Sequence, residues 1–436
     1  CGGVYLPLNT AYKGGEVAYF LGDAAPRVLV CDPKTEASLR PTAKEAGTAE
    51  VLTLGTEGNG GLVDRSRNLD SDVGVVARDD DDLAAILYTS GTTGRSKGAM
   101  LSHNNLASNT LTLRDYWGFT KDDVLIHALP VFHTHGLFVA THGVLLSGSR
   151  MLFMNRFDAD TVIDLLPRAT AMMGVPTFYT RLLANPRLTR EACSHIRLFV
   201  SGCAPLLAET FKEFEERTGH RILERYGMTE TTMSTSNPLN GERIAGTVGH
   251  PLPGVEARIA DENGNPLPQG EVGILEVRGP NVFRGYWRNP EKTAEDFRDD
   301  GFFITGDMAM IDSRGYIQIV GRSKDLIISG GFNVYPKEVE MLIDGIPGVE
   351  ETAVIGLPHP DFGEAVVAVV KRDGKGPEVT ADGIQATAKA EPANFKVPKQ
   401  VYFVDELPRN AMGKVQKNAL RDRFKESFAE ALKNSA

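Results

Sequence analysis

The sequence predicts an α/β fold: a large layered α/β domain with a β-rich subdomain, followed by a small α+β C-terminal domain. Three observations carry that expectation. At 436 residues, with 42% hydrophobic and 24% charged content, the chain is longer than a single core usually supports. Short β-branched runs at 27–31, 83–88, 124–128, 171–175 and 198–201 alternate with longer amphipathic segments, the pattern of a layered α/β domain. The rhythm then changes twice, near Gly246 and near Lys324.

After Gly246 the chain reads as strands and turns: 257–260, then Asp261-Glu262-Asn263-Gly264, then 272–277. The Asn-Gly pair favours a tight hairpin turn, which predicts the β-rich subdomain over about 246–320. Past Gly321-Arg322-Ser323-Lys324 come a short strand, a glycine pair and Pro336 leading into a helix near Lys337. Strands are expected at 352–355 and 366–370, a helix before Phe395 that Pro392 would shorten, and a last helix from about Asn418. The boundary therefore falls at Lys324, dividing 1–323 from 324–436. Gly55 to Gly61 reads as a surface loop. The opening 1–8, which starts at Cys1, reads as the interior of a domain, so a first segment of the large domain is expected to be missing.

Composition excludes several classes. Lysine and arginine total 47 against 57 acidic residues, a net charge of −10 with no basic patch, so no nucleic-acid partner is expected. The longest apolar run, 137–146, is broken by Thr141, His142 and Gly143, so no membrane span is expected. Cys1, Cys31, Cys193 and Cys203 lack metal-like or redox-pair spacing, which suits a reducing, cytoplasmic setting.

The clearest chemical signal is Tyr88-Thr89-Ser90-Gly91-Thr92-Thr93-Gly94-Arg95-Ser96-Lys97-Gly98, placed after an apolar strand. Its glycines let backbone N–H groups approach oxyanions, its hydroxyls donate, and Lys97 supplies a point charge, so the loop suits a polyphosphate. The spacing does not fit a Walker loop.

This loop resembles the phosphate-binding signature of the adenylate-forming superfamily of acyl-CoA synthetases, luciferase and peptide-synthetase adenylation domains. The resemblance continues in order along the chain. Ser201-Gly202-Cys203-Ala204-Pro205-Leu206 looks like the turn on the adenine side. Glu224-Arg225-Tyr226-Gly227-Met228-Thr229-Glu230 looks like the adenine-holding strand and turn, in which Thr229 touches phosphate and Glu230 places Mg²⁺. Gly301 to Asp307 resembles the ribose motif, with Asp307 accepting from both hydroxyls and Arg322 assisting.

Lys324 matches the family's hinge, and Gly330 with Gly331 the loop at its pantetheine tunnel. Lys414, in Pro408-Arg409-Asn410-Ala411-Met412-Gly413-Lys414-Val415, matches the lysine that a mobile C-terminal lid brings in for adenylation. The resemblance implies ATP, Mg²⁺ and coenzyme A, and makes Lys414 a candidate target for a lysine acyltransferase.

In wording the chain is nearest to malonyl-CoA synthetases, through 129–137, 174–179 and 223–231. A second carboxylate must be matched if buried. Arg181 is the first choice of cation, His133 and Ser201 are further donors, and Arg225 is a weaker choice; His133 also joins Lys414, Thr229 and Glu230 as an expected catalytic residue. Another small acid such as methylmalonate, a carrier-loading adenylation enzyme, and a non-catalytic nucleotide-binding protein are the alternatives.

Overall fold

The computed structural model describes residues 2–67, 69, 74–89, 96–330, 332–374, 376–390, 396–410 and 414–428. Its largest sheet has seven strands, in the order His250–Pro251, Thr235–Ser236, Leu223–Tyr226, Leu198–Ser201, Ala171–Gly174, Val124–His127, Arg150–Phe153. The five from Leu223–Tyr226 onward pair in parallel. Val124–His127, Ala171–Gly174 and Leu198–Ser201 are buried along their whole length, as expected of strands covered on both faces.

Two cores flank this sheet. One gathers Tyr179, Phe199 and Phe214 with the helices of 159–214; the other gathers Trp117, Leu125 and Val200. Ser201 and Tyr226 end neighbouring parallel strands, so the carboxyl edge of the sheet, where open α/β folds bind ligands, carries both expected site motifs.

A separate antiparallel pair, Leu83–Thr89 with Lys97–Ser102, sets Thr89 opposite Lys97. The residues joining them, Ser90, Gly91, Thr92, Thr93, Gly94 and Arg95, lie outside the described residues. Helix Gly14–Ala24 braces both feet of that connection. The Tyr19 hydroxyl donates to the Ser96 carbonyl at 2.7 Å, and the Tyr88 hydroxyl donates to the Asp23 carboxylate.

The β-rich subdomain is a four-stranded antiparallel meander of Glu256–Ala260, Gly273–Arg278, Phe303–Ile311 and Ile317–Arg322. Gly264 does turn the chain, at φ 85°, but only far enough to bridge Ala260 to Pro266. The hairpin partner of Glu256–Ala260 begins at Gly273, so the Asn263-Gly264 turn sits inside a longer connection. Sheet membership changes at the short 3₁₀ turn Ser323–Asp325.

Beyond that turn, Ile327–Ser329, Phe332–Val334, Val349–His359, Gly363–Arg372 and Gln400–Val404 make a five-stranded sheet with its own apolar cluster around Val354, Val366 and Ile384. Helices Pro336–Asp344, Ala381–Ala390 and Lys417–Phe424 accompany it. Pro336 opens the first of these, where its missing N–H costs nothing. Pro392 and Phe395 lie outside the described residues.

Candidate active site

Glu230 closes the turn after strand Leu223–Tyr226, and that turn is shaped by Gly227. A β-carbon there would stand 1.8 Å from the Thr232 carbonyl, so only glycine fits. Thr229 lies half-buried on the same turn. The Glu230 side chain is buried and accepts from the Tyr286 hydroxyl at 3.1 Å and, at a long 3.5 Å, from the Thr89 hydroxyl. Burial raises its pKa, against the Tyr286 hydrogen bond and the charges of Arg322 and Lys97. Lys97 Nζ stands 4.5 Å from the centre of the Tyr286 ring.

No group of three or more His, Cys, Asp or Glu side chains gathers as a metal cage among the described residues. One buried carboxylate beside a hydroxyl is instead a donor set suited to Mg²⁺, which retains waters and takes its remaining oxygens from phosphates.

Asp307 is paired across strands with Arg322, and this register sets their contact: Arg322 Nε lies 2.6 Å from Oδ1. The Tyr226 hydroxyl donates to Oδ2 at 2.5 Å. Burial and the Asp307 charge hold the Tyr226 phenol well above its usual range, so it remains a donor. Each Asp307 oxygen keeps a lone pair for a further donor such as a sugar hydroxyl. The Tyr226 hydroxyl also lies 3.8 Å from the Met228 sulfur.

The turn at 201–206 and strand Leu223–Tyr226 meet at a second group of side chains, the expected acid site. Gly202 lies so close under Arg225 that a β-carbon would sit 2.3 Å from the guanidinium carbon. Ala204 is half-buried and Pro205 exposed. Glu224 turns the other way, where its carboxyl accepts from the Gly246 N–H at 3.2 Å. Burial pushes its pKa up to about 8, so at neutral pH it is mostly protonated.

Arg225 itself is only 2% exposed. Its Nη2 reaches Cys203 Sγ at 3.7 Å, while Nε and Nη1 have no hydrogen-bond partner. Ser201 Oγ and His135 Nε2 are likewise buried and unpartnered. His135 is completely buried at the start of a π-helical turn, His135–Thr141, and such turns are frequent at functional sites. Its Nδ1 lies 3.5 Å from Cys203 Sγ, and its backbone N–H donates to His133 Nδ1 at 3.4 Å. Burial, then the Arg225 charge, lowers the pKa of His133 to about 4 and holds that of His135 well below its usual value. Both imidazoles are neutral at physiological pH.

Arg181 lies apart from the side chains gathered around Arg225. It lies exposed on helix Pro176–Leu183, whose inner face is taken by Tyr179, Leu182 and Leu183. At 100° per residue it falls on the opposite side from Tyr179 and Leu183. The cation beside Cys203 and near His133 is Arg225.

Comparison with known proteins now decides the family. Residues 1–287 match the AMP-binding enzyme family, and residues 338–414 match the AMP-binding enzyme C-terminal domain. The chain belongs to the AMP-binding enzymes.

Among solved members of this family, ATP-bound MatB from Rhodopseudomonas palustris is 59% identical, with 98% of this chain and 85% of that chain covered and a TM-score of 0.96. Apo MatB from the same organism, at 60% identity with 98% and 85% covered, superposes at 0.83. The malonate–CoA ligase of Arabidopsis thaliana is 35% identical over 96% of this chain and 74% of its own length. A feruloyl-CoA synthase from an Amycolatopsis species is 37% identical over 97% and 84%.

In this AMP-binding enzyme, Lys414 approaches the site from the C-terminal unit. Its N–H donates to Asn410 Oδ1 and its carbonyl accepts from the Asn410 N–H, both at 3.0 Å; Ala411, Met412 and Gly413 lie outside the described residues. The residue is exposed, yet protein around its ammonium desolvates it in part. That desolvation and the Arg322 charge lower its pKa to about 8, against the attraction of Asp307 and Asp325. Lys324 is exposed on the 3₁₀ turn. Gly330 is exposed with φ 60°, and its N–H donates to the Phe362 carbonyl at 2.8 Å; Gly331 lies outside the described residues.

Sequence reasoning passed over two site residues. His135 carries a signal in the spacing of His133-Thr134-His135. Tyr286, beneath Lys97 and Glu230, reads in sequence as one more core aromatic, because its role depends on two residues distant in the chain.

Proposed function

We propose that this chain is a malonate–CoA ligase, forming malonyl-CoA, AMP and pyrophosphate from malonate, ATP and coenzyme A through a malonyl-adenylate. The observation that carries the choice of acid is the buried Arg225 guanidinium with Nε and Nη1 unpartnered. A buried cation without an acidic partner is costly, and the free carboxylate of a dicarboxylic acid supplies the partner, with Ser201 and His133 as added donors. Relatives named for malonate and for ferulate stand at 35% and 37% identity, a level that does not separate acids. The 59% likeness to MatB agrees with the pocket.

In the first half-reaction one malonate carboxylate attacks the α-phosphorus of ATP. The bond to the β-phosphate oxygen breaks, and pyrophosphate leaves along the strand pair carrying Thr89 and Lys97, with Ser90 to Gly94 between them. Asp307 and Arg322 hold the ribose, while Gly202, Ala204, Pro205, Tyr226, Gly227 and Met228 flank the base. Thr229 donates to phosphate. Mg²⁺ held by Glu230 would neutralise phosphate charge, and Lys414 stabilises charge on the α-phosphate.

The C-terminal unit then turns at Lys324, withdrawing Lys414 and bringing Gly330 and Gly331 to the pantetheine path. The thiol of coenzyme A attacks the adenylate carbonyl, and AMP departs. The fall in TM-score from 0.96 to 0.83 between ATP-bound and apo MatB supports such rearrangement. An acyltransferase modifying the solvent-reached Lys414 would silence the first half-reaction alone. Free Cys31, Cys193 and Cys203 fit a reducing compartment such as the cytoplasm.

A pyrophosphate-release panel over acetate, hexanoate, malonate and methylmalonate, with and without coenzyme A, tests this reading. Malonate is expected to exceed acetate by about 10²-fold in kcat/KM, because acetate leaves the buried guanidinium without its charged partner, a loss of ~3 kcal/mol. Comparable turnover of acetate, hexanoate and malonate would remove the basis for the assignment.

A further inference from the structure

The proposed reaction needs no side-chain nucleophile, yet a half-buried thiol stands in the acid compartment. Cys203 has φ 71°, in the left-handed region that residues bearing a β-carbon seldom occupy. Its sulfur lies 3.5 Å from His135 Nδ1 and 3.7 Å from Arg225 Nη2. Nearby are four buried polar atoms without partners: Arg225 Nε and Nη1, His135 Nε2 and Ser201 Oγ. The sulfur thus borders a cationic group whose remaining donors await an anion. A thiol that is partly accessible in electropositive surroundings is the usual setting of a modifiable cysteine.

We infer that Cys203 is an anion-guided modification site, alkylated from within the acid compartment by small electrophiles of the haloacetate class. The inference rests on Arg225 accepting a carboxylate, as in the proposed function. A carboxylate oxygen on a guanidinium N–H lies about 2.8 Å from the nitrogen. With the sulfur already 3.7 Å from Nη2, a carboxylate held by the same guanidinium brings its neighbouring carbon toward Sγ, and a reacting pair stands about 3–3.5 Å apart. The step is a two-electron substitution. The sulfur lone pair forms an S–C bond as the C–I bond of iodoacetate breaks; iodide leaves with its bonding pair, and the thiol proton passes to solvent.

The whole chain is treated with iodoacetate or iodoacetamide at equal concentration, and each cysteine is followed by peptide mass spectrometry with and without malonate. Iodoacetamide is neutral and lacks the guiding charge, so Cys203 is expected to react ~10-fold or more faster with iodoacetate, the scale of electrostatic focusing in a cleft. Malonate is expected to suppress that reaction. Cys31, outside the compartment, is the internal reference and is expected to show no such preference. Equal or faster labelling of Cys203 by iodoacetamide, or labelling indifferent to malonate, overturns the inference. Malonate-dependent pyrophosphate release, measured on the same preparation before alkylation, separates the two levels. If release is normal, unguided labelling overturns this inference alone; if release is absent, the malonate reading falls as well.

Discussion

Replacing Lys414 with alanine is expected to lower pyrophosphate release from malonate and ATP by about 10²–10³-fold, the usual effect of removing one preorganised donor from a charge-developing transition state. Thioester formation from supplied malonyl-adenylate is expected to stay within ~10-fold of the unaltered chain, because in the proposed cycle the lid withdraws this lysine before that step. The expectation comes from position: Lys414 belongs to the C-terminal unit but feels the charges of Arg322 and Asp307 across the cleft. A pH effect follows from the same surroundings. Desolvation first and Arg322 second bring its pKa down to about 8, and the ammonium is the active form. The kcat/KM for adenylation, which reports the free enzyme, should therefore fall as pH rises through about 8. Lys414→Arg keeps the charge and should lose that decline. Equal losses in both half-reactions of the alanine variant would contradict the division of labour.

Arg225→Leu is the second large effect. It removes the guanidinium while filling much of its space, leaving no unpaired cation behind. The kcat/KM for malonate is expected to fall by about 10²-fold, corresponding to ~3 kcal/mol for a buried charged hydrogen bond. Activity toward acetate is expected to change little or to rise, since acetate carries no second carboxylate. Arg181→Leu, on the exposed side of its helix, should leave malonate selectivity as it was. Loss of selectivity at Arg181 with retention at Arg225 would reverse the assignment.

The contrast between these arginines shows what the chain makes legible. Asp307 and Arg322 are legible only through the resemblance of their motifs, and the antiparallel register of their strands brings the two side chains together. The strands at 83–88 and 198–201 and the change of pattern near Lys324 follow from hydrophobic period and turn residues. Motif proximity says which segment an expected contact lies on, while helix phase decides which residue faces inward, and Arg181 is exposed. Arg225 was undervalued because its importance lies in atoms left without partners, which depend on Gly202, Cys203 and His135 arriving from other segments. Tyr286 was missed for the same reason, since its meaning comes from Glu230 and Lys97.

A crystal structure of the chain with a non-hydrolysable malonyl-adenylate analogue tests the central claim most directly. The ribose hydroxyls are expected on Asp307, the α-phosphate within reach of Lys414, and the free carboxylate on the Arg225 guanidinium. An analogue bound away from Asp307 and Glu230, or one whose free carboxylate turns to solvent with Arg225 still unpartnered, would contradict it.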